Sequence, residues 1–496
     1  MDNLRLFSTE TEYNTSKSGF EYPTVSYVES NDTVYYMTLR DKYTKEYLTF
    51  EAIDDCVFTF TMDAKLPTSC VPSISYSVDN GENWTTTANV NDTEVVVTTP
   101  TVTSGNKVLW KSNAVQYCYQ PDSANVGDDM PLTNAGFGKF KSTGKYNISG
   151  NIMSLLYNDS FADKTTFKAY VSTGYGAGAF TYLFGWNYTW EEYEDHPEYF
   201  HEKILSSKNL ILPAATLANY CYYGMFIACN KMVDCPELPA LNLGVACYKE
   251  MFYLCDSLLE PPVLPATTLT TECYREMLDR CRHMLYAPEL PAMEMKDWCY
   301  YGMFSCDTFT TAPELPATTV APHCYHTMFY MQPNLTTAPT VLPATTLAEY
   351  CYGGMFNECV SLVNVPELPA TTLANWCYYA MFMGCTSLKT TPELPATTMV
   401  TNCYRRMFEN CPALTTAPEL PATTLVSGCY TQMFKGCSHL NYIKAMFTTT
   451  PSNSYTSAWL SGVASTGTFV KNASATWATT GINAVPTGWT VQTASA

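Results

Sequence analysis

Nine times between Leu212 and Met446 the chain repeats one pattern, LPATTLxxxCYxxMFxxCxxL, whose leading cysteine falls at Cys221, Cys247, Cys273, Cys299, Cys324, Cys351, Cys377, Cys403 and Cys429. Successive gaps are 26, 26, 26, 25, 27, 26, 26 and 26 residues. A period that strict means that each unit is one supersecondary element with an apolar face it cannot cover alone, so neighbouring units must stack. The expected architecture is therefore a solenoid.

Within a unit, apolar residues recur every fourth position, as at Leu217, Cys221, Met225 and Cys229, while Tyr222 and Phe226 widen the stripe. That stripe predicts one inward helix face per unit. The second and third positions after the cysteine vary freely, with Tyr223 and Gly224, Lys249 and Glu250, Arg275 and Glu276, His326 and Thr327, and Arg405 and Arg406, so they are expected to face water. Stretches such as residues 414–421 (LTTAPELP) predict a short strand stopped by proline, and the following hydroxyl residues suit a helix cap. The fold class read from this is an α/β solenoid with one short strand and one helix per unit, roughly 45 Å long if strands stack about 4.8 Å apart.

At these residues the units resemble BspA-type leucine-rich repeats, a variety found in surface proteins of gut and oral bacteria and in proteins of their phages. The resemblance covers about half the chain directly. Three departures stand out: Leu278 where Phe is usual, Gln332 in place of the second cysteine, and Cys306 one residue early. Residues 179–184 (AFTYLF) mimic CYYGMF and read as a degenerate tenth unit upstream of the nine, carrying an insertion, and residues 456–490, rich in Ser, Thr, Gly and Trp, read as a closing cap.

The domain reading that follows has an extended anchoring segment over 1–44 and a β-sandwich of immunoglobulin-like type over 45–112. After these come a transition and capping repeat over 113–210, nine repeats over 211–446 and a C-terminal cap over 447–496. Alternating residues such as Val57, Phe58, Thr59, Phe60 and Thr61 mark the sandwich. Inside it, residues 77–84 (SVDNGENW) match an Asp-box, SxDxGxxW, whose Asn-Gly pair suits a hairpin turn and whose aspartate can accept from turn amides. The match reads as a structural hairpin.

The chain carries 46 acidic against 27 basic residues, a net charge of -19, which argues against nucleic acid or an anionic membrane as partner. No apolar run approaches the roughly 18 residues that a membrane span needs, so no membrane insertion is expected. The opening residues show neither the basic nor the apolar region of a secretory signal, and the expectation drawn is that the general export route does not apply. Of 21 cysteines, 17 lie in the repeat ladder, and only Cys56, Cys70, Cys118 and Cys235 lie outside it. Free cysteine packs as a small buried hydrophobe, so a reduced ladder is expected, with no metal and no cofactor.

The first forty residues resemble N-terminal segments of structural proteins from tailed phages of gut Bacteroidales, the crAss-like group. That resemblance implies docking of a fibre or decoration protein on other virion proteins, and by analogy a homotrimer assembled in the host cytoplasm and carried on the virion surface. Histidines at 196, 201, 283, 323, 326 and 439 fall in no recognisable catalytic motif, and no enzyme is expected. The insertion after the degenerate unit gathers Trp186, Tyr188, Trp190, Glu191, Glu192, Tyr193, Asp195 and Tyr199, rings beside carboxylates that suit a glycan contact. A solvated acidic loop, or a cation site at Asp195, His196, Glu198 and His201, is the alternative there. The functional expectation is a virion surface protein, a capsid or tail fibre or a capsid decoration, that contacts host envelope, capsule or mucus glycans or a host protein. The alternatives are a bacterial BspA-like adhesin and a glycan-degrading tail enzyme.

Overall fold

A computed structural model describes residues 4–7, 24–28, 33–37, 45–62, 73–87, 95–112, 138–167, 179–185 and 202–494. The chain divides into two units. The first comprises Met1–Gly174, Glu202–Ala215 and Asp234–Pro239, and the second Tyr175–His201, Thr216–Val233 and Ala240–Ala496.

In the first unit, β1 (Leu4–Phe7), β2 (Thr24–Val28) and β3 (Thr33–Met37) form a sheet in that order, so the opening expected as an extended segment contains paired strands. Two further sheets carry the core. One runs β12-β11-β4-β9-β6-β7, from β4 (Leu48–Ala52), β6 (Ile74–Ser77), β7 (Thr85–Thr87), β9 (Lys107–Ser112), β11 (Tyr146–Asn151) and β12 (Ile204–Ile211). The other runs β10-β5-β8, from β5 (Phe58–Met62), β8 (Val95–Thr98) and β10 (Gly138–Ser142). Strand alternation drives the packing: Val108, Trp110 and Ser112 are buried on β9 while Lys107 is exposed. Phe50 of β4 lies 5.3 Å from Phe58 of β5 and 4.8 Å from Phe140 of β10, and Trp110 lies 4.9 Å from Phe140. These rings join the two sheets into one aromatic core. The sheets draw in β10, β11 and β12, strands beyond the 45–112 segment from which a sandwich is expected.

The second unit stacks its repeats coil on coil through the backbone. The amides of Tyr222, Gly224, Phe226 and Ala228 donate to the carbonyls of Cys247, Lys249, Met251 and Tyr253, one period ahead. The intervening amides turn inward on their own coil: those of Tyr223, Met225 and Ile227 donate three residues back, to Tyr220, Tyr222 and Gly224. The same alternation recurs from Tyr248 to Asp279 and on to the last repeat.

This geometry corrects the expectation of one helix per unit. The stretch over 217–229 is a run of turns, and among the described residues the α-helices are two single turns, α1 (Ser154–Tyr157) and α2 (Asn453–Thr456). The reason lies in the spacing. A stripe kept at every fourth residue drifts by about 40° per step on a helix of 3.6 residues per turn, and so winds off one face. Here every fourth residue takes a left-handed backbone conformation instead, as at Tyr220 (φ 58), Gly224 (φ 53) and Ala228 (φ 62), or Trp376, Ala380 and Gly384. The repeat of four is thus a repeat of turns. The expected strand is likewise reduced to isolated parallel bridges, such as Thr216 to Asn242 and Thr346 to Thr372.

Stacking in register aligns identical side chains. Tyr248, Tyr274, Tyr300 and Tyr325 follow one another at 5.7–5.8 Å with interplanar angles of 4–14°. Phe356, Phe382, Phe408 and Phe434 do the same at 5.6–5.7 Å. The column starts at residues 179–185, where Phe180 stacks on Tyr222 and Phe184 on Phe226. At the far end β13 (Tyr442–Ala445), β14 (Thr468–Lys471) and β15 (Thr490–Thr493) pair in parallel, and buried Trp459 lies 6.1 Å from Tyr430.

Candidate functional site

The ladder cysteines at 221, 247, 273, 299, 324, 351, 377, 403 and 429 are all fully buried, and none is in a disulfide. Burial pushes their thiols up, to about 12 at Cys273 and Cys351 and to about 11 at Cys429. They are protonated, and so poor nucleophiles and poor metal ligands. The second cysteine of most units has a defined structural task. The thiols of Cys255, Cys385, Cys411 and Cys437 donate to the carbonyls of Phe226, Phe356, Phe382 and Phe408, one coil back, at 3.0–3.1 Å. At the departure Gln332, the side-chain oxygen accepts from the amide of Cys306 at 3.1 Å.

The Asp-box folds as a self-contained hairpin. Asp79 accepts from Ser77 Oγ at 2.6 Å, from the Asn83 amide at 2.9 Å and from Asn83 Nδ2 at 2.7 Å, and these donors hold its carboxyl at about 2. Asn80 and Gly81 supply the two positive φ angles of the turn. Its Trp84 lies 5.0 Å from Tyr47 and 4.0 Å from the Lys111 ammonium, and both Lys111 and Tyr47 donate to Asp159, at 2.7 and 2.8 Å. Burial and then the Asp159 bond push the Tyr47 hydroxyl to about 12. Each polar group of this cluster serves another, as expected of a structural hairpin.

Trp186, Tyr188, Trp190, Glu191, Glu192, Tyr193, Asp195 and Tyr199, with His196, Glu198 and His201, lie outside the described residues. The outer face of the coils, by contrast, is laid out in detail. The residue before each ladder cysteine falls at the same place on every coil, and across four units it is Trp298, His323, Tyr350 and Trp376. These rings stack in sequence: Trp298 on His323 at 4.0 Å and 8°, His323 on Tyr350 at 4.8 Å and 13°, Tyr350 on Trp376 at 5.3 Å and 7°. Arg275 closes one end, 5.2 Å above Trp298, and Arg405 the other, 5.4 Å above Trp376. Tyr301, His326 and Tyr379 meet this ribbon from the side, and all seven rings are half-buried.

Before the ribbon, on the coils of the first three of the nine units, lies a charged patch. Lys249 bonds Glu272 at 3.1 Å, Arg275 pairs with Glu272 at 3.5 Å and with Glu276 at 3.2 Å, and Tyr223 donates to Glu250 at 3.3 Å. Beyond the ribbon, Glu409 takes Arg406 at 3.1 Å and Lys435 at 2.9 Å. The positions expected to face water are therefore only partly solvated: Lys249 and Arg275 are buried, their charges held among carboxylates and rings.

Ring faces in the ribbon are consumed by one another, so it presents ring edges, with the indole, hydroxyl and imidazole groups that can bond hydroxyl-rich partners. The sequence reading singled out positions two and three after the cysteine and missed the position before it. The signal was present: aligned by unit, that column reads Tyr, Ala, Glu, Trp, His, Tyr, Trp, Asn, Gly, with aromatics gathered in its middle. Among the described residues no three His, Cys, Asp or Glu side chains gather as a metal cluster, and no helix is long and apolar enough to cross a membrane.

No protein-family model and no curated protein matches this chain. Among solved structures, a leucine-rich cell surface protein from Faecalibacterium prausnitzii A2-165 is similar at 13% identity, over 61% of this chain and 90% of that one, with a TM-score of 0.23. A superposition that loose carries no weight for fold or function.

Proposed function

We propose that the chain is a non-enzymatic surface protein whose stacked repeats form a leucine-rich-repeat solenoid of the BspA type, displaying a contact face toward glycans or proteins of a host surface. The observation that carries the reading is the ribbon Trp298, His323, Tyr350 and Trp376, half-buried and closed by two arginines on an otherwise repetitive frame. Aromatic and arginine side chains concentrate binding energy at contact surfaces, and a rigid stack orders few rotamers on binding. Weak contacts repeated along a frame gain avidity when several copies are displayed, which suits the implied homotrimer.

Retention of host capsular polysaccharide by the purified protein, compared with a Tyr350→Ala, Trp376→Ala double variant, tests this. Retention lost in the variant, with the polysaccharide length unchanged, supports a contact face. Equal retention by both proteins, or shortened chains, refutes it, the latter in favour of a glycan-degrading enzyme.

The finer placement is the surface of a virion, reached through the N-terminal segment docking on other virion proteins, and it rests on the resemblance of the first forty residues alone. Proteomics of purified particles against host envelope fractions decides between that placement and a bacterial adhesin.

A further inference from the structure

We infer that His323 and His326 form a two-point chelate for a divalent transition metal ion of the zinc, nickel and copper class, set into the aromatic ribbon. Their Nδ1 atoms face each other at 3.2 Å. Two nitrogens that each lie about 2.0–2.1 Å from one tetrahedral ion are roughly 3.3 Å apart, so the separation that serves the imidazole hydrogen bond also serves a ligand pair. The inference is independent of the adhesion reading.

The rings are held where they are. His323 lies between Trp298 at 4.0 Å and Tyr350 at 4.8 Å, both nearly parallel to it. His326 meets Tyr301 edge-on at 5.3 Å and Tyr350 at 5.4 Å. The backbone fixes them as well: His323 sits at φ 55 with its amide on the Glu349 carbonyl, and the His326 amide donates back to the His323 carbonyl. A preorganised pair loses little freedom when it takes an ion.

Burial disfavours the charged form of both imidazoles. Neutral imidazole is the form that ligates. The charged groups facing His323 are Asp297 and Glu349, which favour a cation there, and Arg275, which opposes one. On the next coil a glycine stands beside the His326 ring. Where later units carry Tyr379 and Arg405 two residues after the cysteine, this one has Gly353, and a Cβ there would come to 3.3 Å from His326 Cδ2.

Without an ion, the pair is joined by one Nδ1–H donating to the other Nδ1. On binding, that proton moves by way of water to Nε2 of its own ring, so both Nδ1 lone pairs point at the metal and no net proton is released. No third protein ligand of the His, Cys, Asp or Glu type closes the site among the described residues, so water or an added ligand fills the remaining positions.

Titration calorimetry of the full chain with nickel(II), which thiols do not reduce, tests the chelate. One site is expected in the wild type, weakened more than about tenfold by either His323→Gln or His326→Gln, and unchanged in a His283→Gln, His439→Gln double variant. Affinity unchanged in the first two variants, or no binding in the wild type, overturns the proposal. A readout that needs no variant is the nitrogen spectrum of ¹⁵N-histidine-labelled wild type with zinc(II). Two Nδ1 resonances moving together support the chelate, and one or none moving overturns it, leaving a simple imidazole hydrogen bond.

Discussion

Replacing Phe382 probes whether the coils are held by their shared column of rings. This side chain is fully buried, stacked on Phe356 at 5.7 Å and 4° and on Phe408 at 5.6 Å and 9°, and its carbonyl accepts the Cys411 thiol. Phe382→Ala deletes a ring packed on both faces and leaves a cavity between two coils, a change of about 4 kcal/mol. Phe382→Leu keeps most of the volume and loses only the two ring pairs, about 1–2 kcal/mol. The protein already carries this substitution at one unit, since Leu278 occupies the same place and is fully buried. Urea unfolding followed by circular dichroism gives the difference from the midpoint and the slope. The location matters too: in a nearest-neighbour array a weak central coil lets the flanks unfold separately, so the slope falls for Phe382→Ala. It holds for Phe184→Ala at the first coil, where the ring stacks on Phe226. A cost under about 1 kcal/mol for Phe382→Ala, or equal costs for Ala and Leu, refutes a ring column as the source of stability.

Other outcomes follow from the same packing. An alkylating thiol reagent at neutral pH leaves Cys221, Cys247 and the rest of the ladder unmodified in peptide maps and modifies them all in urea, because burial keeps them protonated and out of water. Ladder labelling at the rate of a free thiol sinks the dry interior. Half-buried Asp279 is pushed up to about 7, first by burial and then by Glu276, with Arg280 opposing. An acid whose folded pKa lies above its unfolded value stabilises the fold below the carboxylate range and loses that contribution as pH rises to about 7. Discounted for the solvent that reaches Asp279, thermal unfolding in the repeats gains about 1–2 kcal/mol between pH 7.5 and 5, and Asp279→Asn flattens the change. Ser77→Ala removes the hydroxyl that accepts from the Gly81 amide and donates to Asp79, and weakens the β-unit by about 1 kcal/mol, read from its urea midpoint. Gly224→Ala brings a Cβ to 2.2 Å from the Tyr182 ring at a φ of +53, and lowers the melting temperature.

Much of this molecule is legible in one dimension. The 26-residue period dictates that like residues meet, so the inward placement of Cys221 to Cys429, Tyr222 and Phe226 could be read from spacing alone, as could the Asp-box turn at Asn80 and Gly81. A helix is expected over 217–229 because a spacing of four satisfies a short helical window as well as a chain of tight turns. What separates the two is the left-handed backbone at every fourth residue. That conformation is held by amide bonds to the next coil, contacts that no local window contains. The strands β10, β11 and β12 joined the β-unit for a related reason, since their partners lie far off in sequence.

The repeat, the sulfur-rich interior and the acidic balance are written in the residues, because periodicity and composition are properties of the chain. Which outward residues meet is set by the stacking of the coils. Trp298, His323, Tyr350 and Trp376 are separated by 25, 27 and 26 residues, and only the coil register lays ring on ring. Contact between side chains of different units depends on the rise and twist of the stack, which hydrogen bonds between coils fix and no single repeat encodes.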